Sequence, residues 1–137
     1  MQFDCMQPAS GLLLNIVWKM SDEKSIAQWP AGLDALIAAP QHHKLLFENE
    51  SVRVLDANIP AGEITALHTH RFPASLYIIS WSDFVRYDEQ GNILLDSRKL
   101  DKTFLPETAL WTEPLPPHAL ENVGENDLHI ISVEIKR

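Results

Sequence analysis

Three histidines carry most of the chemistry that this sequence offers. His68 and His70 flank Thr69, and in an extended strand residues two apart project to the same face. Two neutral imidazoles side by side can chelate one ion, and imidazole is a ligand for zinc, iron, nickel and copper alike. His118 follows Pro116-Pro117 about fifty residues later, where the pattern predicts another strand. A bare His-x-His motif is equally a pair of exposed histidines on a surface strand. The surrounding elements must therefore decide between ligand and solvated residue.

Those elements are short. Ser21 is placed to cap a helix running through Gln28, with Asp22 and Glu23 at its positive end and Pro30 beyond it. The Leu, Ile and Ala spacing of Gly32–Ala39 predicts a second short amphipathic helix, stopped by Pro40. From there the pattern changes to segments rich in branched and aromatic residues. Strands are expected at 44–47, 52–59, 66–70, 76–79, 83–87, 93–96, 109–112, 119–123 and 128–135. Turn signals separate them at Asn49-Glu50, Pro60-Ala61-Gly62, Glu89–Asn92, Pro114–Pro117 and Gly124–Asp127. Many short strands without long helices between them predict an all-β antiparallel barrel or sandwich. The division expected is an N-terminal extension with short helices at 1–40 and a barrel at 41–137.

With that frame, the half-motifs Gly62-x5-His68-x-His70 and Pro116-Pro117-His118-x3-Asn122 stand at the spacing of the two cupin motifs. The chain resembles a small single-domain cupin, which implies a jelly-roll barrel, or double-stranded β-helix. It departs from the family pattern in two places. The metal-binding glutamate of the first motif should fall at Ala74 or Ser75, and its closing glycine at Trp81 or Ser82. In the second motif, Glu113 and Leu115 replace a proline and a glycine. The resemblance thus implies a site of three histidines, His68, His70 and His118, without an acid. Such a site would hold a divalent ion, iron, manganese, nickel or zinc, with positions open to water, substrate or dioxygen. The uncompensated charge of the ion would favour a small anionic ligand such as a carboxylate, hydroxy-acid or enolate.

Other residues divide between a pocket role and a structural one. Arg71 suits a bidentate clamp on a carboxylate and equally an exposed pairing with an acid. Tyr77, Trp81 and Trp111 offer a ring and a polar tip to a cavity, or simply fill the core. Arg71 and Tyr77 are the candidates for orienting a ligand. His42-His43 stand in a polar stretch and are expected to be solvated, and His129 is expected to be a satisfied core or surface histidine. Glu121 has the wrong parity to share the face of His118, and Asn122 is read as a turn former.

Composition limits the partners. The 137 residues fit one domain, and 11 basic against 19 acidic residues give a net charge of -8. That field opposes nucleic acid and anionic membrane. The apolar stretch at Gly11–Val17 is too short to span a bilayer, and no basic segment precedes it as a signal peptide would need. The lone Cys5 excludes an intrachain disulfide and suits a cytoplasmic setting. Residues 1–19 differ in character from the rest of the chain, and Met20 reads as a second plausible start. They are an extension packing on the domain, a segment exchanged with a partner, or the product of a misplaced start.

Three functions are compatible with these features. The first is a metal enzyme acting on a small organic acid or carbonyl compound by dioxygenation, isomerisation or lyase chemistry. The second is a non-catalytic small-molecule-binding barrel, and the third is a structural homodimer joined through strand edges.

Overall fold

The computed structural model describes residues 23–102 and 104–136. The expectations for residues 1–19, for a start at Met20 and for a cap at Ser21 lie outside these residues. Helix α1 (Glu23–Gln28) ends before Pro30, and a 3-10 turn (Ala31–Leu33) leads to α2 (Ala35–Ala38). The single helix expected at Gly32–Ala39 is broken at Asp34, which is extended at φ -51° and ψ 139°. Its carboxylate accepts from the Leu36 amide at 3.1 Å, capping α2 rather than continuing a helix. Among the described residues, no helix is long and apolar enough to cross a membrane.

Among the described residues nine strands follow: β1 (His43–Glu48), β2 (Val52–Ile59), β3 (His68–His70), β4 (Ala74–Ser80), β5 (Phe84–Tyr87), β6 (Ile93–Asp96), β7 (Ala109–Thr112), β8 (Leu115–Asn122) and β9 (Leu128–Ile135). They form two antiparallel sheets, ordered β1-β2-β9-β4-β7 and β3-β8-β5-β6. Most strands fall where branched and aromatic residues cluster. The clear exception is Pro114–Pro117, expected as a turn, because β8 already begins at Leu115. His68 pairs with His118 and His70 with Leu115, so two steps along β3 oppose three along β8. This is a bulge, where the ladder is interrupted and a strand can hold prolines. On one side of it His118 lies directly across from His68.

Between the sheets, Ile59, Phe84 and Leu128 pack with Trp81, Leu95, Leu120 and Ile130. The loops at this end are held by Asn122, a buried junction rather than the expected turn former. Its amide donates to the carbonyls of Ile59 and Asn126, both at 2.8 Å. Its carbonyl accepts from the Ser82 hydroxyl at 2.6 Å and the Gly124 amide at 3.0 Å. Removing these groups strands several buried partners, at about 1–3 kcal/mol for each one left unpaired. Asn122→Ala is therefore expected to destabilise the barrel by about 3 kcal/mol. Urea denaturation checks this, and a loss below about 1 kcal/mol would remove Asn122 from that role.

Candidate metal centre

The bulge and the short strand β3 bring the sequence-predicted histidines together. The rings of His68 and His118 lie 4.3 Å apart, centroid to centroid, and His70 lies 5.0 Å from His68 and 5.6 Å from His118. A fourth histidine joins them. His43, the first residue of β1, lies 4.6 Å from the ring of His68 and 5.2 Å from that of His70. The ligand atoms of His43, His68 and His70 are all within 4.8 Å of one another.

The expectation that His42-His43 are solvated is overturned, for the two are only 7% and 6% exposed. His43 pairs with Ala57 of β2 at the wall of the barrel, and its Nδ1 donates to the carbonyl of Ala39, just beyond α2, at 3.0 Å. His42 faces Glu63, with Nε2 to Oε1 at 2.8 Å. The polar composition around this pair hid the fact that β1 begins there, under the helical segment.

Each of the four rings has its Nδ1 against an acceptor. For His68 this is the Ala66 carbonyl and for His118 the Pro116 carbonyl, both at 2.7 Å. For His43 it is the Ala39 carbonyl, and for His70 it is Oε2 of Glu134 at 3.1 Å. A carbonyl or carboxylate oxygen only accepts, so Nδ1 carries the proton and Nε2 keeps the lone pair. That tautomer, fixed by an outer hydrogen bond, is the one that metal-binding histidines adopt. The donor set of His43, His68 and His70 therefore fits a first-row divalent ion, with His118 bordering it against His68.

An acid stands behind the histidines. Ala74, one of the two positions where the resemblance put a glutamate, has Glu134 as its cross-strand partner on β9. This carboxylate is 0% exposed and lines the same cavity as the histidines. It accepts from His70 through Oε2 and from Arg53 Nε through Oε1 at 2.8 Å. Arg53 in turn donates Nη1 and Nη2 to the two oxygens of Asp34, at 3.1 and 2.9 Å. The chain Asp34–Arg53–Glu134–His70 thus ties the cap of α2 to the ligand strand. The site still has no acid among its ligands, with Glu134 behind His70 as an outer hydrogen-bond partner. The signal for it was faint, a single acid in the apolar strand at 128–135.

Burial, followed by the charges of neighbouring imidazoles, lowers the basicity of His43, His68 and His118. His43 falls to about 4, with His70 as the first charged neighbour, and His68 falls to about 2. His118 is also held well below its ordinary value. In the unfolded chain each of these rings takes up a proton below about 6.5, while in the folded chain it stays neutral. Their contribution to stability is thus complete above about pH 6.5 and is lost as pH falls toward about 4. Metal-stripped protein should lose up to about 1.4 kcal/mol per pH unit for each such ring across that window. Urea midpoints at about pH 7.5 and about pH 5 check this, and equal midpoints would contradict neutral buried imidazoles.

The four histidines open onto a cavity of about 150 Å³. Its lining is mostly apolar, including Phe72, Leu76, Trp81, Phe84, Leu110 and Leu115. Arg71 and Tyr77 are not among the lining residues. Ala74 and Leu76 of β4 face the cavity, so alternation turns Tyr77 outward, where it is 43% exposed. Arg71 follows β3 immediately, out of phase with His68 and His70. The cation that does line the cavity is Arg86 of β5, whose register partner is Leu120 of β8. Burial lowers its pKa to about 10, so it remains charged at neutral pH. Trp81 lines the cavity, whereas Trp111 donates to Glu113 at 2.6 Å. His129 is satisfied by Asp56 at 2.8 Å, as expected.

No family model matches the sequence, and no curated protein matches it. Solved structures do match. A cupin domain from Bordetella pertussis Tohama I is similar with a TM-score of 0.56 at 16% identity, covering 69% of this chain and 92% of that one. An RmlC-like cupin with a double-stranded β-helix fold from Methanocaldococcus jannaschii is similar with a TM-score of 0.48 at 15% identity, covering 68% and 77%. The first of these likenesses shows the fold to be that of the cupins, and a buried cluster of histidines opens onto its cavity.

Proposed function

We propose that this chain is a mononuclear metal-binding cupin whose cavity takes a small organic acid or carbonyl compound. His68, His70 and His118 are the ligands, and His43 stands beside them as a fourth. The observation that carries this reading is the shared anchoring of the four rings, each with Nδ1 against an oxygen, which reserves Nε2 for a metal. A bound divalent ion would supply Lewis acidity toward a carbonyl or carboxylate oxygen. The chain itself holds the imidazoles in register, keeps Glu134 behind His70 and surrounds the site with apolar side chains that limit water. Dioxygenation, isomerisation and lyase chemistry all suit such a centre. Carriage or sensing of a ligand is the second reading. It is favoured by the engagement of both Glu134 oxygens, which commits that carboxylate to Arg53 and His70 rather than to a ligand.

The test is metal content measured on protein purified without an imidazole step or added metal, beside a His70→Ala control. Near-stoichiometric iron, manganese, nickel or zinc in the wild type, lost in the control, is the expected result. No metal in either protein, and no uptake on titration, would overturn the metal centre.

A further inference from the structure

Arg86 is the one cavity-lining cation besides the histidines among the described residues, and its bonding is incomplete. Its Nε and Nη1 are shut off from solvent and have no hydrogen-bond partner. The guanidinium carbon lies 5.6 Å from the centroid of the Phe84 ring. That contact gives the cation an aromatic face but no acceptor for Nε or Nη1. Among the described residues, the only acid lining the same cavity is Glu134, and both of its oxygens are engaged by Arg53 and His70. A buried charge without an acceptor is costly, and it is retained most readily where a ligand completes it.

The rest of the wall defines that ligand. Nε and Nη1 belong to the planar guanidinium, whose fork of N–H groups meets the two oxygens of a carboxylate. Trp81 packs against Phe84 and Phe104 at centroid separations of 5.6 and 4.9 Å, and all three rings line the cavity. An apolar cavity near 150 Å³ is of the size that accepts a benzene-sized body. We infer that Arg86 anchors the carboxylate of a small monocarboxylic acid whose apolar, ring-sized body lies among these aromatic side chains. This deepens the reading of the cavity as a ligand site, and it transfers to Arg86 the clamp that the sequence suggested for Arg71.

The test uses benzoate as the probe, with benzyl alcohol as the uncharged comparison, titrated calorimetrically into metal-stripped and zinc-loaded full-length protein. Metal-stripped wild type is expected to bind benzoate about tenfold or more tightly than benzyl alcohol, since only benzoate forms charge-assisted bonds. Arg86→Met should bring the two probes to the same affinity and raise the melting temperature of the ligand-free protein, because an unpaired buried charge is gone. Arg86→Lys should keep a weaker preference for benzoate, which guards against a folding defect in the methionine variant. Equal binding of both probes by the wild type, or an undiminished preference in Arg86→Met, would overturn the anchor. Zinc titration of the same samples is read separately. Benzoate preference without zinc uptake would leave the anchor standing and remove the metal centre, and zinc uptake without benzoate preference would do the reverse.

Discussion

Glutamine in place of Glu134 is expected to leave the barrel folded and yet weaken zinc binding by about 10–100-fold, the usual effect of losing an outer partner of a ligand histidine. Glu134 accepts from two donors at once, Arg53 Nε and His70 Nδ1. An amide can accept from only one of them and must present N–H to the other. If its oxygen stays on Arg53, its N–H faces Nδ1 of His70, and the ring shifts its proton to Nε2. The nitrogen intended for metal then carries a hydrogen. Alanine has a different consequence, because it removes the carboxylate and leaves a buried guanidinium with half of its partners. Asp34 still holds Nη1 and Nη2 of Arg53, so the cost should sit at about 3 kcal/mol, the lower end for a broken buried pair. Competition with a chromogenic zinc chelator measures the first effect and urea unfolding the second. Wild-type zinc affinity in Glu134→Gln would show that the carboxylate does not control the tautomer of His70.

Removal of a ligand histidine should have the largest effect on metal binding. Structural zinc sites with four ligands gain about 10–16 kcal/mol, so each ligand carries about 3 kcal/mol, or about hundredfold in affinity. His68→Ala and His118→Ala are each expected to lose at least this much while remaining folded, because the apolar cluster around Ile59, Phe84 and Leu128 stands without the ion. His43→Ala discriminates between three and four ligands. A loss comparable to that of His68→Ala would make His43 a full ligand, and an unchanged affinity would confine coordination to the three motif histidines. Unfolding of purified His68→Ala at room temperature would instead make the ion structural.

Much of the barrel was legible because strand periodicity is local. The strands at 52–59, 93–96, 109–112 and 128–135 coincide with their expected bounds, where branched residues run between clear turn signals. Pro114–Pro117 misled, since prolines ordinarily end a strand and only pairing with β3 creates the bulge that accepts them. The same division holds at the site. His68 and His70 share a face by parity within one strand, and the resemblance to the two cupin motifs joined His118 to them.

Tertiary structure alone decided the rest. His43 looked solvated until β1 paired with β2 and its ring donated to Ala39. Glu134 looked like one acid in an apolar strand until β9 paired with β4 and set it opposite Ala74, one of the two positions where the resemblance put an acid. Arg86 gave no signal beside Arg71, since alternation tells which residues share a face but not which face lies inside. The physical reason is common to all three. A strand's sequence encodes its own period of two, whereas its neighbours are chosen by packing across the barrel between residues far apart in the chain.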